Sequence, residues 1–341
     1  MGEHAYGEAP GEGSLKFLII RFSSIGDIVL TTPAIRCLKK QVEGAEVHFL
    51  TKPGFAPILR ANPWIDRIHE LGDLWQTISF LRNEHFSYII DLHNNLRTAI
   101  IKSRLPGISF SFNKLNIEKW LLVNLRIDRM PEIHIVDRYL ATLSVFDVEN
   151  DGGGLDYFIP PDEEIKMADL PAPFSEGYVL FAIGANHATK RLPTDKIIAV
   201  CREAGIPVIL AGGKEDAGRG DAISAACGGL VWNACGKYSI NQSASLVRQA
   251  GVVISHDTGL MHIAASFKKK IISVWGNTVP GFGMSPYMPV DSSYVCEVQG
   301  LKCRPCSKIG YKKCPRGHFR CMMDQDASAI AAYAAKLFKT G

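Results

Sequence analysis

The 341-residue chain has no uninterrupted apolar run near the roughly 18 residues of a membrane span, so no transmembrane helix is expected. Residues Met1 to Ser14 are rich in Gly and Glu and have no apolar core, which argues against a signal peptide and for a disordered N-terminus. A cytoplasmic location is the expectation. No G-x-G-x-x-G follows the first apolar run, where Arg21-Phe22-Ser23-Ser24-Ile25-Gly26 stands, and no P-loop occurs. Both absences argue against nicotinamide and nucleoside-triphosphate motifs of the usual kind. The net charge of +4, with a pI near 8.5, is too mild to argue for nucleic-acid binding. The cysteines lack the paired C-x-x-C spacing of a zinc ribbon.

Hydrophobic residues make up 47% and charged residues 21% of the chain, as in a soluble globular protein. Its length suggests two domains. Leu15 to Phe22 reads as a first buried parallel strand, and Ser23 to Asp27 as a turn. Thr32 is positioned to cap a helix with Pro33 in its first turn, running to Lys40. Val47 to Leu50, Ile68 to Leu71 and Tyr88 to Leu92 read as strands. Helices are expected over 75–83, 96–104, 118–124 and 135–146. A Gly- and Pro-rich break follows from Glu149 to Pro173. A second alternating series starts at Tyr178, with strands at 178–183, 208–211, 230–234, 252–255 and 271–275 and helices between them. The fold class expected is α/β: two Rossmann-like, doubly wound domains facing a cleft. Residues 15–160 form the first domain, 161–176 the linker and 177–341 the second.

Ile254-Ser255-His256-Asp257-Thr258-Gly259-Leu260-Met261-His262 joins an apolar strand to an apolar-periodic helix. Asp257 or Thr258 can cap that helix, Gly259 permits close backbone approach, and the free N–H groups suit a phosphate. The bland alternative is an ordinary strand–cap–helix junction. Asp27 sits just past the first strand's carboxyl end, where open parallel sheets place ligands. Gly-Asp is also ordinary turn chemistry. Lys190 follows the second domain's first strand and can offer a point charge, with Arg191 as its competitor. Glu215 follows strand 208–211, a place suited to ribose hydroxyls, and Asp216 competes with it. A lone helical histidine such as His262 is more often packed than catalytic.

These stretches resemble glycosyltransferase family 9, the lipopolysaccharide heptosyltransferase family. Asp257-Thr258-Gly259-Leu260-Met261-His262 matches its D-T-G-x-x-H motif, and Gly26 to Ala34 matches its G-D-x-x-x-T-x-P-A motif in full. The resemblance implies a GT-B fold and an inverting transfer of heptose, or a related sugar, from an ADP-sugar to a lipopolysaccharide-core acceptor. It implies that Asp27 is the general base and that Lys190, Thr258 and Gly259 meet the diphosphate. Glu215 would hold the ribose and Tyr238 would lie near the adenine. His262, Gly276 and Thr278 would line the cleft, with Asn277 standing where a proline is usual. No cofactor is implied beyond the nucleotide sugar, and no divalent metal is required. The final helix, 327–339, would cross back onto the first domain. A non-catalytic sugar-nucleotide binder and a nicotinamide-dependent oxidoreductase remain the alternatives.

Two clusters stand outside the motifs. Arg97, Lys102, Arg104, Lys114, Lys119, Arg126 and Arg129 are interleaved with Phe110, Phe112, Trp120 and Leu121. A solvated helix face is the default reading. A surface for an anionic, lipid-linked acceptor at the inner membrane is the functional one. Cys296, Cys303, Cys306, Cys314 and Cys321 form the other cluster. Zinc is possible at Cys303-Arg304-Pro305-Cys306, with Cys314, Cys321 or His318 completing the ligands. Free thiols shaping a compact loop are preferred in a reducing cytoplasm.

Overall fold

A computed structural model describes residues 15–340. The disorder expected of residues 1–14 lies outside the described residues. The first sheet comprises β1 (Leu15–Ile20), β2 (Ala45–Thr51), β3 (Arg67–Glu70), β4 (Tyr88–Asp91) and β5 (Ile108–Ser111), all parallel, in the order β3-β2-β1-β4-β5. Its helices are α1 (Ile25–Val29), α2 (Thr32–Gln41), α3 (Leu74–Arg82), α4 (Leu96–Arg104), α5 (Asn116–Trp120), which runs on as a π turn over Leu121–Leu125, and α6 (Ile135–Leu140). Alternation along β1 explains the layers. Phe17 and Ile19 enter one apolar core, while Leu18 and Ile20 enter another on the opposite face.

The second sheet is also parallel: β6 (Val179–Ala182), β7 (Val208–Ala211), β8 (Val231–Asn233), β9 (Val252–His256), β10 (Lys270–Trp275) and β11 (Tyr294–Glu297), in the order β11-β10-β9-β6-β7-β8. Its helices are α7 (Thr194–Ala204), α8 (Ala217–Cys227), α9 (Ile240–Gln249), α10 (Gly259–Ser266), α11 (Arg320–Met323) and α12 (Ala327–Lys339). Leu180 faces the core shared with the first sheet, and Phe181 faces the core under α7 and α12.

Three expectations change. Ser23 to Asp27 is not only a turn, because α1 begins at Ile25. The cap of α2 is Thr31, one residue before the expected Thr32. The final helix, α12, packs on α7, β9 and β10, so its apolar face is spent on the second sheet in place of a return to the first. The segment between the sheets is bound along α9. Tyr157 Oη donates to Asn241 Oδ1 at 2.7 Å, Glu164 accepts from Ser245 Oγ at 2.9 Å, and Leu170 and Phe174 are buried.

Candidate functional site

In an open parallel sheet a ligand crevice forms at the carboxyl edge, where the strand order reverses. Here the first reversal lies between β1 and β4, and the second between β6 and β9. Asp27 follows β1, while Lys190 and Asp257 follow β6 and β9. The sequence motifs therefore fall at both switch points.

Asp27 lies on α1 with its side chain 19% exposed. Its Oδ1 is 2.6 Å from Arg21 Nη2, and its Oδ2 accepts from Ser24 Oγ at 2.8 Å and Ser24 N at 3.2 Å. Burial pushes the carboxyl upward, but Arg21 and the two Ser24 hydrogen bonds outweigh it and hold the pKa below the usual carboxylate range. Asp27 is therefore ionised and oriented, and the strengthening of basicity by desolvation is reversed in this arrangement. Arg21 is itself pinned, donating to Ser23 O at 2.8 Å and Leu92 O at 2.7 Å. Sequence reading missed Arg21. The signal for it was a cation inside an apolar run, which needs a partner when buried.

At the second switch point, Lys190 Nζ is 2.6 Å from Asp257 Oδ2. Thr278 Oγ1 donates to the same carboxylate at 2.9 Å. Asp257 does not cap α10: it fixes Lys190 and Thr278. Thr258 holds the cap position without a side-chain cap bond, its Oγ1 lying 3.2 Å from Ser255 Oγ. Arg191 turns away, donating to Ala185 O at 2.7 Å, so Lys190 is the basic residue beside the motif.

Gly259 serves packing before any ligand. A Cβ there would sit 2.6 Å from Ile25 Cγ2, and a Cβ on Gly26 would sit 2.6 Å from His262 Cδ2. The two glycines let α1 and α10 touch, and this contact closes the base of the crevice. His262 is buried in the seam with Nδ1 unpartnered among the described residues. Burial foremost pushes its pKa down to about 4, keeping the imidazole neutral.

Glu215 is exposed after β7, whereas Asp216 is buried and accepts from Gly213 N at 3.1 Å. Glu215 is thus the carboxylate free to meet a ligand. The loop after β8 lies beside it: a Cβ on Gly236 would be 2.8 Å from Lys214 Cα. Tyr238 is half-buried, with its ring edge toward Trp232. Gly276 is packed under Thr189 O and Met322. Asp324-Gln325-Asp326 spells D-x-D in the second half, but Asp326 caps α12 and Asp324 pairs with Arg320. These residues line a cavity of about 400 Å³ with β11. Another, of about 390 Å³, lies around Arg67, His69 and Asp73. Neither cavity includes a motif residue.

The cysteine cluster divides. Cys296 and Cys321 are buried in the second core. Cys303, Cys306 and Cys314 lie in a loop, with Cys303 Sγ 3.9 Å from His318 Nε2 and Cys306 Sγ donating to Cys303 O at 2.9 Å. Among the described residues no group of three His, Cys, Asp or Glu side chains converges to hold a metal. The loop is fastened to the first half by Arg126, which donates to Pro305 O at 2.5 Å and Cys303 O at 3.1 Å, and within its own half by Tyr311 N, which donates to Thr189 Oγ1 at 2.8 Å.

Comparison with known proteins gives the family and the fold. The profile of Glycosyltransferase family 9 (heptosyltransferase) matches residues 74–314, a span that holds the second switch point and stops short of Asp27. Lipopolysaccharide heptosyltransferase 1 of Campylobacter coli is 23% identical over 294 residues, which cover 77% of this chain and 84% of that protein. A glycosyl transferase family 9 structure from Veillonella parvula has a TM-score of 0.76 at 18% identity, covering 96% of this chain and 98% of that one. The structure of E. coli ADP-heptose LPS heptosyltransferase II has a TM-score of 0.74, also at 18% identity, with coverage of 96% and 99%. These neighbours share the GT-B fold with this chain.

Proposed function

The chain belongs to glycosyltransferase family 9, and on that premise we propose that it transfers heptose, with inversion at the anomeric carbon, from an ADP-linked donor to a lipopolysaccharide-core acceptor. The observation that carries the reading is the α1–α10 seam. It brings an oriented, ionised carboxylate of one sheet beside a helix N-terminus and a lysine of the other.

Asp27 takes the proton of an acceptor hydroxyl as that oxygen attacks the anomeric carbon. The bond from that carbon to the diphosphate oxygen breaks on the opposite side, so the configuration inverts. Lys190 and the free N–H groups at the amino end of α10 take up the charge of the leaving diphosphate. Glu215 meets the ribose, and the loop holding Tyr238 runs along the base. These groups supply the positive charge, and the reading requires no divalent metal. The E. coli neighbour is an ADP-heptose enzyme, which supports the donor chosen. The reading sets the reaction at the cytoplasmic face of the inner membrane, a reducing side that suits nine unpaired cysteines.

The test combines binding with turnover. ADP should raise the melting temperature more than UDP, since a ligand of the folded state stabilises it by mass action. ADP-heptose and a heptose-deficient core acceptor should give a product whose anomeric signal is inverted relative to the donor. A retained configuration, or transfer only from a UDP-sugar, would overturn the reading.

A further inference from the structure

Helix α5 and its π turn carry six apolar side chains in ten residues, and none of the ten is buried. Ile117 is 73%, Trp120 56% and Leu125 52% exposed. A packed helix of this composition would hide one face; this one presents apolar surface to its surroundings. The segment lies beside the site, because Lys119 is within electrostatic reach of Asp27.

The cysteine loop of the second half meets it. Arg126, at the end of the π turn, donates to the carbonyls of Cys303 and Pro305. Beyond that joint, Ile309 and Tyr311 are also exposed, at 55% and 42%. Around them the sequence is one-sided in charge. Val298 to Met323 contains seven Lys and Arg and no Asp or Glu. Arg304 and Arg320 are paired with carboxylates, but Lys308, Lys312, Lys313 and Arg316 have no carboxylate partner among the described residues, and all four are exposed. From Glu118 to Glu132 the apolar segment is charge-balanced, with Lys119, Arg126 and Arg129 against Glu118, Asp128 and Glu132. The positive charge of this face therefore comes from the second half and the apolar surface mainly from the first.

We propose that α5 with its π turn and the Lys308–Arg316 loop form one docking face for an anionic lipid bilayer. Exposed Trp, Ile and Leu side chains sink to the depth of the headgroups, Tyr311 sits at the interface, and the unpaired cations meet lipid phosphates. The charge asymmetry favours this occupant over a protein or a second copy, because an unopposed basic loop bordering apolar side chains complements an anionic membrane surface. Arg126 keeps the two parts of the face in register. The inference needs no step of the transfer reaction.

The test is flotation of the full chain with vesicles that contain neither donor nor acceptor, so its outcome is separate from that of the transfer assay. Vesicles of phosphatidylcholine mixed with phosphatidylglycerol should carry the protein up, and phosphatidylcholine alone should not. Lys312→Glu with Lys313→Glu should lower binding about tenfold or more, since each basic residue near the surface contributes measurably. Trp120→Ser should also weaken it, whereas Trp75→Ser, at a tryptophan equally exposed (55%) on α3, should not. Quenching by brominated lipid should fall in Trp120→Phe, a variant that preserves the apolar contact. Equal binding to both vesicle types, or equal losses in the two Ser variants, would overturn the proposal. A wild type that ignores vesicles and forms a dimer broken by Trp120→Ser would assign the face to a second copy and overturn it too.

Discussion

Both halves place an ion pair at the carboxyl edge of a sheet where the strand order reverses. Arg21–Asp27 and Lys190–Asp257 have the same 2.6 Å separation, with carboxylates 19% and 11% exposed. Their surroundings differ. In the first pair the cation is spoken for, since Arg21 also donates to two main-chain carbonyls. In the second the anion is spoken for, since Asp257 also accepts from Thr278. Asp27 is fixed as well, by two bonds from Ser24, whereas Lys190 has besides the carboxylate only the Asp257 carbonyl at 3.4 Å. A base for the acceptor and a cation for the leaving group are what a displacement across the seam requires. Equal distances do not mean equal roles; the second set of hydrogen bonds orients the first carboxylate as an ionised acceptor and leaves Lys190 the more loosely held of the two cations.

The most severe way to break this contrast is Asp27→Asn. Transfer should fall roughly a thousandfold, the scale of a lost general base. ADP affinity measured by calorimetry should stay near the wild-type value, because donor contacts lie in the other half. Transfer at an unchanged rate would remove Asp27 as the base.

Between the two pairs lies His262, within electrostatic reach of both Asp27 and Asp257. Its folded pKa of about 4 is below the unfolded value near 6.5. As pH falls through 6.5 the unfolded chain gains a proton that the folded chain refuses. Stability is therefore full above 6.5 and is lost progressively toward pH 4, by on the order of 3 kcal/mol from this residue. His262→Gln should flatten that part of the denaturant-unfolding profile. An unchanged slope between pH 7 and pH 4.5 would show that the seam carries no such proton linkage.

Lys190→Met should do the converse of Asp27→Asn. It removes a charge-assisted contact valued at about 1.5–3 kcal/mol, so ADP should bind roughly ten- to a hundredfold more weakly while adenosine changes little. Equal losses for both ligands would mean that Asp257 keeps the lysine and the diphosphate lies elsewhere.

Much of this architecture was legible before any coordinates. The β6 and β7 runs are continuously apolar, and β1 after Lys16 and β9 before Ser255 are too, because both faces of the parallel sheets are covered. The α12 bounds follow from its 3.6-residue apolar period and the Asp326 cap. Two edge strands, β5 and β11, were not legible, since they bury too little to leave an apolar run. Nor was α1, whose Ser-Ser-Ile-Gly-Asp spelling favours a turn and whose helix is supported by packing on α10. At the site, the motif residues themselves could be read from spacing. Their partnerships could not: Asp257 reads as a cap because capping is local, whereas its actual partner, Lys190, is 67 positions away. Gly259 reads as a ligand approach because nothing in the sequence shows that Ile25 fills the space.

The smallest expected effect distinguishes neighbours on one strand end, and it repeats the argument of the two ion pairs on a finer scale. Glu215 and Asp216 carry the same group, yet Asp216 is buried against Gly184 and Gly212 and accepts from Gly213 N, while Glu215 is exposed. The committed carboxylate should matter to the fold and the free one to the ligand. Asp216→Asn should lower the melting temperature and leave adenosine binding by the folded protein unaltered. Glu215→Gln should leave the melting temperature of the ligand-free protein alone and weaken adenosine only several-fold, since the amide oxygen still accepts and only the charge assistance of the hydrogen bond is lost. Deoxyadenosines are the sharper probe. If Glu215 accepts from a ribose hydroxyl, removing that hydroxyl from the ligand and the charge from the protein should not be additive. Additive losses would place the ribose beyond the reach of Glu215, even with the diphosphate at Lys190.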